Sequence, residues 1–386
     1  MTPRPIDRRG LALLSAGHAC SDMTQGALPA LLPFLIAERG FSYSQAGALV
    51  LAASIGSSVV QPLFGLFADR LSSSWLVPAG VATSGAGIAL VGVVGSFPLT
   101  LLVLVAGGLG VAAFHPEAAR LVNYVSGDRR GAGMSYFAVG GNAGFALGPA
   151  LVVPVVLAFG LPGTLLLALP TTVVALLLTR LRPSLGARLP APGRRAGPAP
   201  EWRPFTRLVG AAVLRTGAFF GLQAFMPLYL VVHLGASKGQ AAAALTVMLV
   251  AGAAGTLIGG RLADRIGRRN LLIGSMALLL PIVLALPMAS LPFAFALLVG
   301  VGLTLDAPFS TTVVFGQELL RGREGLASGI TYGLAVGLGG LIASALGVLA
   351  DTTSLTTTLY VIALLPVPAL LLALTLPGAA REPVPV

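Results

Sequence analysis

Several ionisable side chains lie inside long apolar stretches of this sequence, where a charged group has a high free energy. A charged group at the centre of a bilayer costs about 3 kcal/mol on insertion scales, so each needs a reason to be there. Carboxylates and imidazoles can take up and release protons, and an arginine binds carboxylates or other anions. The residues concerned are His18, Asp22, His115, Glu117, Arg120, Arg215 and Asp306.

The first stretch carries His18 and Asp22 four positions apart, which puts both side chains on one helix face. Gln25 follows about a turn later, roughly on the same face. Asp22 is near the middle of the stretch and is our first candidate for a proton-binding carboxylate. The alternative is a static hydrogen-bonded pair that fixes helix packing.

The fourth stretch contains His115-Pro116-Glu117, followed by Arg120. Pro116 cannot donate a backbone hydrogen bond, so a bend here would suit a gate or a polar site. His115 and Glu117 are proton-coupling candidates, and His115 is also a substrate-binding candidate. Glu117 could instead pair with Arg120 at i, i+3. His-x-Glu alone is too weak a pattern for a metal site, so we predict no metal and no catalytic residue.

The second half of the chain has one buried arginine candidate, Arg215, and one carboxylate candidate, Asp306. Arginine keeps its charge, so Arg215 must face a carboxylate such as Asp22 or Asp306, or an anionic substrate. Asp306 is a further proton-coupling candidate, although it could instead neutralise Arg215 permanently. The substrate-binding candidates are Arg215, Asp22, Gln25, His115, Asn142, Phe219 and Gln223.

The elements that must position these groups are membrane-spanning helices. Of the 386 residues, 56% are hydrophobic and only 10% are charged, against roughly 25% charged in soluble domains. A soluble enzyme and a disordered chain are therefore excluded, and the single cysteine, Cys20, excludes a disulfide scaffold. Apolar stretches long enough to cross a bilayer are 11–36, 43–67, 75–95, 98–119, 132–158, 161–179, 207–232, 240–261, 271–289, 292–316, 325–349 and 355–377.

The distribution of basic residues predicts the orientation of these helices. With a cytoplasmic N-terminus, 21 of the 24 lysines and arginines fall in inside segments, as the positive-inside rule requires. Arg39 and Lys238 would lie outside, and Arg215 lies within a stretch. The split favours an even number of spans with both termini in the cytoplasm. It also accounts for the net charge of +11 without nucleic acid.

An internal repeat divides the chain into two halves. Residues 65–70 read Gly-Leu-Phe-Ala-Asp-Arg, and residues 260–265 read Gly-Arg-Leu-Ala-Asp-Arg. Each copy falls at the predicted cytoplasmic end of the second stretch of its half. We therefore predict a six-helix bundle at 1–180, a proline- and arginine-rich cytoplasmic linker at 181–206 and a second six-helix bundle at 207–386, an arrangement typical of transporters.

This repeated loop resembles the signature loop of the major facilitator superfamily. Because an aspartate is unfavourable at the C-terminus of its own helix, it should pair with the N-terminus of a neighbouring helix or with an arginine, which would make the loop a latch on one conformational state. The first copy departs from the pattern, since Leu71-Ser72-Ser73-Ser74 follow it. The alternative is that these charges only anchor loops at lipid headgroups. The latch candidates are Gly65, Asp69, Arg70, Arg120, Gly260, Asp264, Arg265, Arg268 and Arg269.

The fifth stretch has glycines at positions 140, 144 and 148, followed by Pro149. The stripe favours close helix contact, and Gly-x-x-x-Gly-Pro is similar to the antiporter signature of the superfamily. Gly144, Gly148 and Pro149 are therefore candidates for conformational change, with ordinary tight packing as the alternative.

Longer motifs resemble the fosmidomycin-resistance branch of the superfamily over nearly the whole chain. They are His18 to Asp22 with Met23 and Gln25, Phe114-His115-Pro116-Glu117, Gly140-Gly141-Asn142 with Gly144, Gly259-Gly260 through Arg268, Gln317-Glu318-Leu319-Leu320 and Gly347-Val348-Leu349-Ala350-Asp351. The resemblance implies an all-α membrane protein of twelve helices in two bundles, in which the first and fourth helices of each half line a central cavity.

The same resemblance implies the function. We expect a transporter, not an enzyme, in the bacterial inner membrane, which uses a proton gradient and no cofactor to export a small anionic drug or metabolite such as fosmidomycin. Its partners would be substrate, protons and lipid, not nucleic acid, and it would work as a monomer. A proton symporter that imports a small anionic metabolite is the alternative.

Overall fold

The computed structural model describes residues 5–41, 43–71, 74–186 and 199–378, and these residues are almost entirely helical. Each of the twelve predicted stretches overlaps a helix, which confirms the all-α fold. Within the described part, ten helices are long and apolar enough to cross a membrane, and Leu76–Val91 is a shorter apolar one. Most of the predicted linker, residues 187–198, lies outside the described residues.

The chain forms two compact units, which we describe separately. The first unit takes residues up to Pro198 together with Arg321–Leu334. Its helices are α1 (Arg8–Arg39), α2 (Tyr43–Ser54), α3 (Gln61–Leu71), α4 (Leu76–Val91), α5 (Phe97–Val125), α6 (Arg130–Phe159), α7 (Ala168–Gly186) and, from the later segment, α13 (Glu324–Ser328).

The second unit takes Ala199–Leu320 and Ala335–Val386. Its helices are α8 (Trp202–Leu234), α9 (Lys238–Ile266), α10 (Arg268–Ala285), α11 (Leu291–Asp306), α12 (Phe309–Leu319), α14 (Ala335–Thr352), α15 (Leu355–Leu364) and α16 (Pro366–Leu374). Irregular helical turns join several of these: π-helix at Ile55–Val59 and Gly329–Leu334, and 3₁₀-helix at Leu161–Leu167 and Leu286–Met288.

Local sequence explains where the first helix begins and ends. The Asp7 side chain accepts a hydrogen bond from the backbone N–H of Gly10, which caps the N-terminus of α1. At the other end Gly40 adopts φ +65° and donates to the Ile36 carbonyl, a conformation that glycine tolerates. The whole polar set of His18, Asp22 and Gln25 therefore lies on one continuous helix.

The predicted glycine stripe of α6 packs directly on α1. A Cβ at Gly140 would lie 2.5 Å from the Ser15 carbonyl oxygen, and Gly144 faces the carbonyl of Ala19 in the same way. Gly148 packs against the backbone around Met23. Small side chains let these two backbones touch, and this contact holds the polar face of α1 beside α6.

Candidate functional site

Three titratable side chains from two of the predicted stretches meet in the first unit. The Nε2 atom of His18 lies 3.2 Å from Oδ2 of Asp22, and Nε2 of His115 lies 3.2 Å from Oδ1 of the same carboxylate. Both imidazoles are buried, with 3% and 4% of their surface exposed. We call His18, Asp22 and His115 the triad. It joins α1 to α5 through one shared carboxylate.

Backbone carbonyls fix the far side of each imidazole. His18 Nδ1 lies 2.7 Å from the carbonyl oxygen of Phe137, and His115 Nδ1 lies 2.9 Å from that of Val111. Gln25 completes the polar group, since its amide donates to Asp22 Oδ1 at 3.2 Å. Both rings are therefore oriented so that Nε2 points at Asp22.

The three ligand atoms lie within 4.8 Å of one another, as a metal site would also need. Each Nε2, however, already lies at hydrogen-bond distance from a carboxylate oxygen. These distances are those of hydrogen bonds between imidazole and carboxylate groups.

Apolar and small groups close the space around the triad. The ring of Phe137 stacks on His18 with centroids 4.1 Å apart, and Tyr332 lies 6.0 Å from each imidazole. A Cβ at Gly141 would fall 2.5 Å from His18 Cε1 and 2.7 Å from Asp22 Oδ2. Only glycine fits at this position without moving the triad.

Replacing Gly141 by alanine should therefore disrupt the triad. Overpacking of a buried site costs about 1–3 kcal/mol, so we expect a lower thermal unfolding temperature and at least a tenfold loss of proton-coupled transport. Gly274→Ala in α10 is the matched control, because among the described residues the added methyl group would meet nothing within 4 Å beyond the adjoining backbone of its own helix. Equal behaviour of the two variants would contradict the crowding inferred at Gly141.

A cavity of about 190 Å³ lies beside the triad within the first unit. It contacts α1 at positions beyond Asp22 and α5 at positions before His115, so it lies toward the Arg39 end of α1. Its lining is Thr24, Gln25, Leu28, Pro29, Ala53, Ser54, Ser57, Ser84, Ile88, Leu104, Gly107, Gly108, Val111 and Phe145. Hydroxyl groups and the Gln25 amide therefore face a space large enough for water.

Glu117 forms a buried ion pair with Arg120 one turn away. Arg120 donates to both carboxylate oxygens, from Nε at 2.8 Å and from Nη2 at 2.9 Å, and neither side chain is exposed. This is the pairing that the sequence left open as an alternative. A proton-coupling role for Glu117 stays a prediction.

The second unit holds its own buried ion pair. Arg215 Nη1 lies 3.5 Å from Asp306 Oδ1, and the guanidinium also donates to the Leu305 carbonyl and the Thr216 hydroxyl, both at 3.2 Å. Phe309 packs under the guanidinium at 5.1 Å. Asp306 is thus the carboxylate partner of Arg215 among the two that the sequence offered.

The remaining substrate candidates make fewer polar contacts. Phe219 packs edge-on against Phe220 in α8, with centroids 5.4 Å apart. Gln223 lies on the wall of a shallow, mainly apolar depression in the second unit. Asn142 is exposed on α6. Their substrate contacts stay predictions.

The first copy of the repeated loop makes the contact predicted for its aspartate. Asp69, at the end of α3, accepts hydrogen bonds from the backbone N–H groups of Gly325 at 2.8 Å and Leu326 at 2.9 Å. These N–H groups belong to the first turn of α13, so the carboxylate caps a helix N-terminus. Gly65 faces the Gly325 backbone so closely that neither could carry a Cβ. The side chain of Arg70 lies outside the described residues.

Asp69→Ala should release the first turn of α13. Two hydrogen bonds to a charged group are lost, each worth about 1.5–3 kcal/mol, so amide hydrogen exchange at Gly325 and Leu326 should accelerate at least tenfold. Mass-spectrometric exchange measurements on the peptide that covers 324–328 would test this. Asp264→Ala is the control, and unchanged exchange in Asp69→Ala would show that the cap does not hold this turn.

The second copy of the loop is arranged differently. Gly260 is buried in α9, whereas Asp264 and Arg265 are exposed. Arg268 Nη2 lies 3.2 Å from Glu318 Oε1, and Arg269 donates to the Leu374 carbonyl at 2.8 Å. The basic end of this copy therefore ties α10 to α12 and α16 inside the second unit.

The sequence did not identify three residues that shape the triad. Phe137 and Tyr332 supply its aromatic walls, and Gly141 leaves room for it. Gly141 belongs to the Gly140-Gly141-Asn142 motif of the family resemblance, one position away from the glycine stripe predicted for helix packing. Tyr332 comes from the distant segment 321–334, and no local pattern signals that contact.

The helices, the capped signature loop and the buried charged groups define a polytopic transporter. The sequence profile of the Major Facilitator Superfamily matches residues 14–344. The chain belongs to this superfamily.

Two proteins of known sequence and one solved structure are similar to this chain. The chain is 33% identical over 364 residues to the Fosmidomycin resistance protein of Escherichia coli (strain K12), covering 92% of this chain and 90% of that one. It is 32% identical over 368 residues to the uncharacterized MFS-type transporter YfnC of Bacillus subtilis (strain 168), with the same coverage. The crystal structure of the transporter FucP in the outward conformation is similar in fold, with a TM-score of 0.76, 16% identity and coverage of 94% of this chain and 97% of that one.

Proposed function

We propose that this protein exports a small anionic compound, such as fosmidomycin, in exchange for protons by alternating access. The observation that carries the proposal is the triad, in which two buried histidines share a partly exposed carboxylate beside a cavity. Apolar packing would stabilise a purely structural core at least as well, so a cluster of this kind favours a functional role. The resistance function named for the Escherichia coli relative supports export.

Proton coupling requires that the triad is loaded from one side of the membrane and emptied to the other. Asp22 is the carboxylate, and His18 and His115 supply and receive protons at its two oxygens. In an antiporter, the proton-loaded form without substrate and the substrate-bound form are the ones that change conformation. Protons and substrate therefore cross the membrane in opposite directions.

The Asp69 cap would serve as the latch of one of the two states. Its two hydrogen bonds to the first turn of α13 break when α3 and α13 separate, which gives the contact a differential effect on the two conformations. Loss of the cap should therefore shift the population rather than remove the transport site.

Proton symport of an anion is the second candidate, and the Arg215–Asp306 pair favours it. The two groups neutralise one another at 3.5 Å. A proton on Asp306 would release Arg215 to bind an anionic substrate. Proton and anion would then be bound together and travel in the same direction.

Transport in proteoliposomes with a pH gradient of either sign distinguishes the two candidates. Under antiport, fosmidomycin accumulates in the acidic compartment, because the drug moves against the proton flow. Under symport it accumulates in the alkaline compartment. Accumulation that ignores the sign of the gradient would overturn proton coupling, and liposomes without protein set the background.

The remaining features of the proposal follow from the basic residues and the family. Both termini lie in the cytoplasm, because that orientation puts 21 of the 24 lysines and arginines inside. The protein resides in the bacterial inner membrane and works as a monomer. The proton gradient is its energy source, and it needs no cofactor.

A further inference from the structure

The tautomer of each triad histidine is fixed by its backbone partner. His18 Nδ1 faces the Phe137 carbonyl at 2.7 Å, and His115 Nδ1 faces the Val111 carbonyl at 2.9 Å. A carbonyl oxygen can only accept a hydrogen bond. Both Nδ1 atoms must therefore carry a proton, which leaves Nε2 of each ring as the atom that exchanges protons.

Each Nε2 meets a different oxygen of Asp22. The distances are 3.2 Å for His18 to Oδ2 and 3.2 Å for His115 to Oδ1. An unprotonated Nε2 and a carboxylate oxygen are both acceptors, so each contact needs one proton between the two atoms. Two contacts need two protons, whichever atom holds each of them.

We propose that His18, Asp22 and His115 form a single site that holds two shared protons and has a net charge of +1 when full. This inference deepens the proposed function and rests on it for its role in transport. With two shared protons the charge is +1, with one it is zero, and with none it is −1, because both rings keep their Nδ1 protons throughout.

Loss of one shared proton weakens the connection between two helices. One Nε2 lone pair then faces a carboxylate lone pair, and that contact has to open or admit a water molecule. Since His18 and Asp22 lie on α1 and His115 lies on α5, release of the proton at the His115 contact loosens α1 from α5. The cavity that reaches Gln25 is the source of that water and of the incoming protons.

The groups around the triad do not change the number of protons that it shares or its net charge. From α6, Phe137 and Gly141 contribute no charge. Tyr332, from the segment that follows α13, is the further titratable side chain near both imidazoles, and its hydroxyl group is directed at the sulfur of Met134 at 3.8 Å. On α5, Glu117 and Arg120 are paired with each other.

Nitrogen-15 NMR of histidine-labelled protein in lipid nanodiscs tests the count directly. The chain has only three histidines, and His233→Gln removes the signals of the exposed one without touching the triad. At the acidic end of the series, we expect both ring nitrogens of His18 and of His115 to be protonated or to share a proton with Asp22. As the pH is raised, one Nε2 signal and then the other should change to the unprotonated type, while both Nδ1 signals stay protonated.

Asp22→Asn provides the decisive comparison. Its amide can donate to one Nε2 and accept from the other, so one extra proton satisfies both contacts instead of two. We expect one of the two imidazoles to become neutral with an unprotonated Nε2, a loss of one shared proton out of two. Two cationic imidazoles in Asp22→Asn, or a neutral ring with its proton on Nε2 in the native protein, would overturn the two-proton site.

This experiment does not depend on transport. If the pH gradient drives no transport but the NMR signals change in two steps, the proposed function fails and the two-proton site stands. If transport follows the gradient but only one step is seen, the proposed function stands and the two-proton site fails.

Discussion

Replacing Asp22 by asparagine should reduce transport driven by a pH gradient to the background of empty liposomes. Asparagine cannot ionise, and it removes the negative charge that holds protons on His18 and His115. Because the amide has the same shape and keeps hydrogen-bonding atoms at both positions, the fold and substrate binding should be largely intact. Proteoliposome transport with an imposed gradient measures the first effect, and calorimetric binding of the substrate measures the second.

Asp351→Asn is the matched control for this substitution. Asp351 is an exposed aspartate in α14 of the second unit, so the same chemical change there should leave the transport rate unaltered. Undiminished gradient-driven transport in Asp22→Asn would remove Asp22 from the coupling mechanism. Loss of both binding and transport would instead indicate a role of the carboxylate in substrate binding or in the fold.

The helical framework was predictable because the bilayer leaves few alternatives. Backbone groups in lipid must form their hydrogen bonds within a helix, so an apolar stretch of sufficient length predicts a helix. The break between α6 and 161–179, marked only by Gly160, Pro162 and Gly163, is present, and Gly160 adopts φ +66° there. Hydropathy alone did not indicate the π-helical turns at 55–59 and 329–334, because they depend on packing between distant segments.

The candidate site was predictable only as a set of residue types. Depth in the membrane singled out His18, Asp22 and His115, and the i, i+4 spacing correctly paired the first two. No spacing could reveal that His115 binds the second oxygen of Asp22, since that contact depends on how α5 packs against α1. Likewise, the sequence offered two carboxylates for Arg215, and the fold brings Asp306 to it.

The Asp69 cap illustrates a prediction that rested on electrostatics instead of on periodicity. An aspartate at a helix C-terminus opposes the helix dipole and is expected to find a positive partner. The sequence could predict the kind of partner, a helix N-terminus or an arginine, but not its position in the chain. The partner is the first turn of α13, more than 250 residues further along the chain.

Replacing Arg215 by alanine should lower transport of anionic substrates at least tenfold more than transport of neutral analogues, such as a phosphonate diester. The guanidinium is buried, with 4% of its surface exposed, and truncating a buried charged partner typically costs about 2–5 kcal/mol of binding. Parallel uptake assays with the acid and the diester measure the difference. Equal loss for both compounds would assign a structural role to Arg215.

Arg215→Ala also lowers the stability of the protein, and this effect must be separated from its effect on substrate transport. Without Arg215, Asp306 is left as a buried charge with no partner at 3.5 Å, and breaking a buried pair in this way costs about 3–5 kcal/mol of stability. Arg215→Met combined with Asp306→Asn removes both charges at similar volume and should restore folding, measured as the yield of monodisperse protein.

The double variant then decides between the two roles of the pair. If Arg215 binds the substrate, the double variant folds, transports the neutral diester and still discriminates against the anion. If the pair only stabilises the second unit, the double variant keeps the native preference between the acid and the diester, because removing two mutually neutralised charges leaves the site unchanged. A double variant that keeps the native preference for the anion would therefore exclude Arg215 from substrate binding.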